Sequence, residues 1–221
     1  AEGKNSVDSS AGGAYSTAIG YQATATSTAT NGVVIGKGST VSGENGIALG
    51  YGSTAAGKNS IAIGTGNTVT GEGSGAIGDP NTVSGKGSYA IGNNNTVSTD
   101  DSFVLSNDVT TTAANSVNLG SGSAAVTAAT AQTAGTTTYA STTINGTTYQ
   151  FAGATPAGVV SVGDVGKERR VQNVAAGLIS ETSTDAINGS QLHATNKAVE
   201  SLQTGTSGIV QYSDAAANPS S

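Results

Sequence analysis

The stretch NSIAIG at residues 59–64 is one copy of a repeat that runs through the first half of the chain. In each copy an apolar, a small and an aliphatic residue precede a glycine, and from Gly36 onward the copies recur every 14 residues. The step from Gly20 to Gly36 is 16 residues. The glycine place is held by Gly20, Gly36, Gly50, Gly64, Gly78, Gly92, Ser106 and Gly120. A fixed period of this kind indicates a solenoid, in which each unit buries its apolar face on the next.

Each repeat carries two strand patterns. An aliphatic residue such as Ile63 stands directly before the glycine, and a second apolar residue such as Val69 stands five places after it, between two threonines. Alternation of apolar and polar residues over a few positions predicts short β-strands with apolar side chains inward. Gly, Asn and Ser fill the corners, where positive φ angles are tolerated. Successive turns are expected to pair as neighbouring strands about 4.8 Å apart.

A ladder of charges follows the same period. Eight places after each glycine stand Glu44, Lys58, Glu72, Lys86 and Asp100. The sign alternates from turn to turn, so that like charges never stack directly. Opposite charges at cross-strand positions stabilise a sheet by roughly 0.2–1 kcal/mol each. We therefore interpret this ladder as structural.

A turn of this length offers only two or three medium-sized aliphatic side chains to an interior. Small cores are commonly insufficient for a stable fold without association. The sequence therefore predicts oligomerisation, with one apolar strand face used between chains.

Composition excludes several classes of function. The 221 residues include 33 glycines, and only 10% are charged. The net charge is −6 and the 8 basic residues form no patch, which argues against nucleic-acid binding. The absence of cysteine excludes disulfides and thiolate metal sites. No signal peptide or membrane-spanning run is recognised, so any export signal or anchor would lie outside this sequence.

No constellation for catalysis is recognised. The run 52–58 resembles a phosphate-binding loop, but Asn59 stands where Ser or Thr would bind magnesium. His193 is the single histidine and has no nucleophile or orienting partner in the pattern. We therefore predict no enzyme activity, no catalytic residue, no metal site and no cofactor.

The rest of the chain divides by composition. We assign residues 1–125 to the solenoid, 126–166 to a connector and small β-rich insertion, 167–192 to a charged segment, and 193–221 to a helical segment and tail. Asn145-Gly146, between alternating residues, predicts a β-hairpin turn. Leu192, Val199 and Leu202 fit heptad positions and predict the start of a coiled coil.

Taken together, these segments resemble the trimeric autotransporter adhesins, with a YadA-like head followed by a neck. The head motif of that family resembles residues 59–64, with Ile61 in place of Val, and residues 115–120, with two changes. The neck resemblance covers Arg169 to Leu192. Asn67 departs from the fuller head motif, which has Ser three places after the glycine.

The resemblance implies an all-β solenoid head, a left-handed parallel β-roll of 14-residue repeats, in a homotrimer. The neck would lock the three chains together and lead into a trimeric coiled-coil stalk. Its trimer-locking residues would be Arg169, Arg170, Asn173, Val174, Gly177, Thr184, Asp185, Gln191 and Leu192. The parent protein would be held in the outer membrane of a Gram-negative bacterium by a C-terminal barrel absent from this sequence.

By the same resemblance, the head would bind host extracellular matrix proteins of the collagen, fibronectin or laminin type. The candidate ligand-binding residues are those that match the motif, namely Asn59, Ser60, Ala62, Ile63 and Gly64. Like adhesins on neighbouring cells are further expected partners, through autoaggregation and biofilm formation.

Two alternatives remain open. The chain could be a structural spacer or self-association module without a host ligand. The threonines four places after each glycine also resemble the flat Thr arrays of ice-binding β-solenoids, although threonine is simply a good exposed strand residue.

Overall fold

Turns of two short strands build most of the chain in the computed structural model, which describes residues 8–203. The chain divides into two compact units. The first comprises the described residues up to Tyr139 together with Thr155–Arg169, and the second comprises Ala140–Ala154 together with the residues from Arg170 onward.

The strands of the first unit are short, most of them two to five residues long. In chain order they are β1 Ser10–Ala11, β2 Thr17–Ile19, β3 Thr24–Ala25, β4 Val33–Ile35, β5 Thr40–Val41, β6 Ile47–Tyr51, β7 Thr54–Ala55, β8 Ile61–Thr65, β9 Thr68–Val69, β10 Gly75–Gly78, β11 Asn81–Val83, β12 Tyr89–Gly92, β13 Asn95–Val97, β14 Phe103–Leu105 and β15 Val117–Leu119. After the hairpin of the second unit, β18 Val160–Ser161 belongs to the first unit again.

These strands form two parallel sheets. The nine-stranded sheet has the order β2-β4-β6-β8-β10-β12-β14-β15-β18, and the seven-stranded sheet has the order β1-β3-β5-β7-β9-β11-β13. Equivalent residues pair from turn to turn, as Ala62 does with Ala76 and Ala90 beyond it. The first step pairs Ala18 with Val34, which matches the 16-residue interval in the sequence. The predicted parallel β-solenoid is confirmed.

The interior between the sheets is narrower than the sequence suggested. It takes the small middle residue of each Ile-Ala-Ile pattern, such as Ala62, and the middle residue of each Thr-Val-Thr pattern, such as Val69, both without exposed surface. The aliphatic residue before the glycine points outward; Ile77, for example, is 43% exposed. The expectation that these larger aliphatics fill the interior was wrong, because the buried column is taken by smaller residues, mostly Ala and Val.

The last turn of the first unit is built from a distant segment. Strand β18 pairs in parallel with β15 and so extends the nine-stranded sheet beyond residue 125. Val117 donates its backbone N–H to the carbonyl of Val159 at 2.8 Å. The prediction that placed the whole of 126–166 in a separate insertion is corrected here, because Val160–Ser161 completes the solenoid.

The second unit contains a hairpin and a helix. Strands β16 Ser141–Ile144 and β17 Thr147–Gln150 pair antiparallel around Asn145 and Gly146, whose φ angles of 49° and 80° are those of a tight hairpin turn. The predicted hairpin is confirmed. Helix α1 spans Gly189–Gln203 and so begins three residues before Leu192. Predictions for residues 1–7 and 204–221 lie outside the described residues.

Candidate functional site

The predicted ligand-binding stretch places one polar side chain at the surface. Asn59 is exposed and has a φ of 56°, the left-handed conformation that asparagine tolerates. Its Oδ1 accepts a hydrogen bond from Asn45 Nδ2 at 2.9 Å, and Asn45 in turn accepts one from Asn31 at the same distance. Asn59 therefore ends an external amide ladder that runs along one corner of the solenoid.

Three of the other predicted ligand-binding residues build the solenoid itself. Ser60 and Ala62 are completely buried, so their side chains cannot contact a ligand, and their assignment as binding residues is corrected. Gly64 has a φ of 120°, and a methyl group built there would lie 2.0 Å from the carbonyl oxygen of Gly78. Glycine is therefore required at position 64, because successive turns approach each other too closely there for a side chain. Ile63 is half-buried on the outer face of the nine-stranded sheet.

The place three residues after each glycine also faces inward, which explains the departure at Asn67. Asn67, Asn81 and Asn95 are buried there, as Ser39 and Ser53 are in earlier turns. Asn81 Nδ2 donates to Asn67 Oδ1 at 3.0 Å and to the carbonyl of Gly92 at 2.6 Å. The Asn-for-Ser exchange is thus a change in an internal ladder and has no bearing on a ligand.

A serine at this inward position forms hydrogen bonds with the same backbone groups as an asparagine does, but forms fewer of them. Ser53 Oγ donates to the carbonyl of Gly64 at 3.0 Å and accepts the N–H of Asn67 at 3.3 Å. From residue 50 to residue 106, the carbonyl at the glycine place thereby receives a donor from the turn before. Buried polar groups without partners are costly, so this ladder helps fix the 14-residue register.

The outer face of the nine-stranded sheet is apolar. Apart from Tyr51, which ends strand β6, seven side chains of this sheet are among the exposed large hydrophobic residues: Ile19, Ile35, Ile77, Phe103, Leu105, Leu119 and Val160. Tyr89 and Phe103 stack on the same face with ring centroids 5.6 Å apart. A contiguous apolar surface on a protein with so small an interior indicates an association surface.

The outer face of the seven-stranded sheet carries hydroxyls. One column of threonines is in register from turn to turn, namely Thr24, Thr40, Thr54, Thr68, Thr82 and Thr96, with Thr110 bridged to the last. The column two residues further on is mixed and includes Ser42, Ala56 and Ser84. Only one of the two columns is therefore made of threonine throughout, so the face is less regular than the Thr arrays considered above for ice binding.

The charge ladder forms contacts as predicted. Lys58 Nζ lies 2.8 Å from Glu44 Oε2, and Lys86 Nζ lies 3.3 Å from Glu72 Oε2. The Asp100 carboxylate accepts the backbone N–H of Lys86 at 2.8 Å. The hydrogen bond from Lys58 to Glu44 raises the pKa of Lys58, and the negative charge of Glu44 adds to this. These pairs are exposed, and each contributes little to stability.

A second cation has a different environment. Lys37 Nζ lies 5.6 Å from the ring centroid of Tyr21 and 5.8 Å from that of Tyr51. All three residues occupy the place directly after a glycine. The sequence reasoning missed this group, although two tyrosines flanking a lysine at one repeat position were visible in the pattern.

The end of the solenoid is closed by an arginine. The Arg169 guanidinium donates to the carbonyls of Val162 at 2.7 Å and Ser121 at 2.8 Å, and reaches Ser123 Oγ at 3.4 Å. Beside it lies a cavity of about 400 Å³ with a largely apolar lining that includes Val126, Val162 and Val165. The residue predicted to lock a trimer thus caps the last turn of its own chain, and its interchain role stays a prediction.

Two other predicted neck residues, Gly177 and Gln191, are joined in the second unit. Gln191 accepts the N–H of Gly177 at 2.9 Å and donates to its carbonyl at 2.6 Å. Gln191 Oε1 also accepts the N–H of Asn188 at 3.2 Å, while Asn188 Oδ1 accepts the N–H of Gln191 at 3.3 Å. This reciprocal pair is a capping box that starts helix α1.

The remaining neck residues lie around this junction. The Asp185 carboxylate accepts the N–H of Leu178 at 2.9 Å, and the Val174 carbonyl accepts Asn188 Nδ2 at 3.1 Å. Asn173 has a φ of 60°. Arg170, Thr184 and Leu192 are exposed. A methyl group built at Gly177 would lie 2.4 Å from the Ala186 carbonyl oxygen, so glycine is required for this fold-back.

Two negative findings apply to residues 8–203. No three His, Cys, Asp or Glu side chains come together there in an arrangement suited to a metal ion. None of the helical structure in that range combines the length and apolarity needed to cross a bilayer.

Comparison with known sequences identifies the segments. Residues 11–39, 27–53, 55–79 and 84–105 match the YadA head domain repeat, and residues 170–215 match the coiled stalk of trimeric autotransporter adhesins. The chain is 64% identical over 64 residues to the autotransporter adhesin BtaE of Brucella suis biovar 1. It is 54% identical over 44 residues to the autotransporter adhesin EhaG of Escherichia coli O157:H7. The matches cover 29% and 20% of this chain but only 9% and 3% of those relatives.

Two solved structures are also similar. The C-terminal YadA-like domain of a Burkholderia pseudomallei protein is 42% identical, with a TM-score of 0.37, over 62% of this chain and 51% of that one. The collagen-binding domain of the Yersinia adhesin YadA is 24% identical, with a TM-score of 0.45, over 87% of this chain and 89% of that one.

Proposed function

Because the chain belongs to the trimeric autotransporter adhesins, we propose that it is the head, neck and first stalk segment of a bacterial surface adhesin. Its role is binding and not catalysis. Three copies assemble, and the parent protein carries them on the outer membrane of a Gram-negative cell.

The apolar outer face of the nine-stranded sheet is the observation that supports this proposal most directly. Fully burying a Val, Leu, Ile or Phe side chain contributes about 1.5–3 kcal/mol, so each half-exposed residue there retains on the order of 1 kcal/mol. The seven residues named above would together supply several kcal/mol per chain when covered. The buried apolar side chains of the interior are mostly Ala and Val, so covering this face would add apolar burial to a core of small residues.

The neck residues contribute to the same assembly. Gln191 and Asn188 hold the chain where it turns into helix α1, whose Leu192, Val199 and Leu202 are 58%, 57% and 62% exposed. We assign these apolar side chains to the core of a coiled coil between three chains. Arg170, Asn173, Val174, Thr184 and Asp185 would contact neighbouring chains near this junction.

For adhesion we propose multivalent binding to host matrix proteins of the collagen, fibronectin or laminin type, with cell–cell autoaggregation as a further role. Several similar turns on each of three chains present weak sites side by side, and avidity multiplies them without new contacts. Of the motif residues, the exposed Asn59 would contact the ligand, whereas the half-buried Ile63 lies on the sheet face that we assign to association between chains.

The assembly is tested by the absolute mass in solution, measured by light scattering on this chain and on a version ending at Gly166. We expect a trimer for the full chain and a weaker or smaller assembly for the shortened one. A stable monomer in both cases would overturn the trimer. The shortened version also lacks Arg169, so Leu192→Asp in the full chain serves as a second variant that leaves the last solenoid turn intact.

The ligand is tested by binding to immobilised collagen, fibronectin and laminin. Asn59→Gly is the sharpest variant, because glycine keeps the positive φ and occupies the same repeat position at Gly73 and Gly87. Reduced binding with unchanged mass would support the assignment. Clumping of coated beads without any matrix protein would favour the self-association module, and thermal hysteresis in a freezing assay would favour the ice-binding alternative.

A further inference from the structure

Tyr21, Lys37 and Tyr51 form a continuous exposed ridge along one corner of the solenoid. The ammonium of Lys37 lies within 5.8 Å of both ring centroids. Tyr21 is 36% exposed and Tyr51 is 57% exposed. We call this group the tyrosine ridge.

The backbone fixes the spacing of the ridge. Gly38 donates its N–H to the carbonyl of Tyr21 at 2.9 Å, and Gly52 donates to the carbonyl of Lys37 at 3.0 Å. The three residues therefore occupy three consecutive turns. Two steps of about 4.8 Å separate the two tyrosine positions by roughly 9.6 Å.

The surface on either side of Lys37 and Tyr51 is open. Lys37 stands between Gly36 and Gly38, and Tyr51 stands between Gly50 and Gly52. A methyl group built at Gly38 or Gly52 would meet no atom within 4 Å. The glycines on either side of Lys37 and Tyr51 therefore add no side chain beside them, and a ligand can approach the exposed part of the Tyr51 ring.

The charge of Lys37 is available. Lys58 and Lys86, the other two lysines in the described part of the solenoid turns, each pair with a glutamate, whereas Lys37 makes no salt bridge among residues 8–203. Its three N–H donors are held at the centre of the ridge by the two rings, whose faces attract cations. The ridge therefore combines aromatic faces with one pre-positioned cation.

We propose that the tyrosine ridge binds an anionic saccharide, a chain of sugar units that bears carboxylate or sulfate groups. Sugar rings present flat C–H faces that pack on the electron-rich faces of tyrosine. A carboxylate or sulfate accepts charge-assisted hydrogen bonds from Lys37. Two rings about 9.6 Å apart suit an extended chain that follows the corner, with its acidic group above Lys37. This site is separate from Asn59 and Ile63, and the inference does not depend on matrix-protein binding.

The test measures binding of a heparin hexasaccharide and a hyaluronan hexasaccharide to the full chain by calorimetry. Neutral cellohexaose and a hexaglutamate peptide serve as comparison ligands. Physiological ionic strength, with a Debye length of about 8 Å, screens the repulsion from the net charge of −6. The variants are Lys37→Gln, Tyr51→Ala and Tyr51→Phe, and Lys58→Gln removes the same charge from a lysine that has no rings beside it.

We expect at least one anionic hexasaccharide to bind, and Lys37→Gln and Tyr51→Ala each to weaken it tenfold or more. Tyr51→Phe, which keeps the ring, and Lys58→Gln should stay within twofold of the unmodified chain. Three outcomes would overturn the proposal: no binding of either anionic hexasaccharide, equal losses in Lys37→Gln and Lys58→Gln, or equal binding of cellohexaose. Equally tight binding of hexaglutamate would overturn the saccharide class in favour of an acidic protein segment.

Discussion

Replacing Asn81 by alanine should destabilise the solenoid far more than replacing it by serine. The buried Asn81 amide donates to Asn67 Oδ1 and the Gly92 carbonyl, and it accepts both the N–H and an amide hydrogen of Asn95. Alanine leaves the Asn95 N–H and one Asn95 amide hydrogen without partners, and it leaves the Gly92 carbonyl with only the long bond of 3.4 Å from the Asp79 N–H. A buried unsatisfied group costs about 1–3 kcal/mol, so the two groups left unpaired give an expected loss of about 2–6 kcal/mol.

Serine at the same place should recover much of that loss. In the equivalent turn Ser53 Oγ reaches the Gly64 carbonyl at 3.0 Å and the next backbone N–H at 3.3 Å. Serine at 81 would thus satisfy the Gly92 carbonyl and the Asn95 N–H, and leave one group unpaired, at a cost of about 1–3 kcal/mol.

Guanidinium unfolding followed by circular dichroism measures both variants at one protein concentration, because assembly shifts apparent stability. A free energy of unfolding that is the same for alanine and serine would refute the reasoning. It would mean that the internal ladder of Asn and Ser side chains contributes packing alone, and that water or a local shift of the backbone satisfies the Gly92 carbonyl.

Three further outcomes follow from the same geometry. Gly64→Ala should lower the unfolding midpoint sharply, since its methyl group would lie 2.0 Å from a carbonyl oxygen. In the control variant Gly38→Ala the methyl group meets no atom, and the φ of 67° costs only about 1–2 kcal/mol. Equal unfolding midpoints for the two variants would contradict this. Because Glu44 raises the pKa of Lys58 in the folded state, the stability that this pair adds is present below the ordinary value of 10.5 and disappears as the pH rises through the raised pKa. Unfolding curves of the chain and of Lys58→Met should therefore converge at high pH, and a constant difference would count against the pair. Arg169→Gln should increase amide hydrogen exchange in the last solenoid turn and leave the first turns unchanged, since its two carbonyl partners are Ser121 and Val162; uniform exchange along the chain would show that it is no cap.

Local pattern was enough to predict the register, the charge ladder and the hairpin at Asn145-Gly146. Each of these depends on residues close in sequence or repeated at a fixed interval. Which apolar residues point inward could not be predicted in the same way. Ile61, Ala62 and Ile63 are all apolar, so the alternation of polarity does not show which of them faces the interior. In the structure the smallest of the three, Ala62, is the buried one.

The last turn of the solenoid could not be predicted from the sequence for a different reason. Val160 pairs with Val117 across 43 residues. Val160-Ser161-Val162-Gly163 has the apolar, small, aliphatic and glycine order of the repeat, but it does not follow the previous copy at the 14-residue interval. Arg169 likewise caps a turn from 46 to 48 residues away. The residues around Arg169 carry no local sign of these contacts, so its capping of the last turn of its own chain could not be predicted from the sequence.

The geometry also separates the residues that define the repeat from those able to recognise a partner. The column of Ala62 and Ala76 has no exposed surface, and the corner at Gly64 admits no side chain, so these places are set by how turns stack. The column directly after the glycine is free of that constraint, and it changes from Tyr51 to Thr65 in one step. A repeat can therefore keep its fold while its outward columns change their chemistry. Motif residues such as Ala62 report the architecture, whereas a substitution at an outward corner can change the exposed surface with little effect on the stacking of turns.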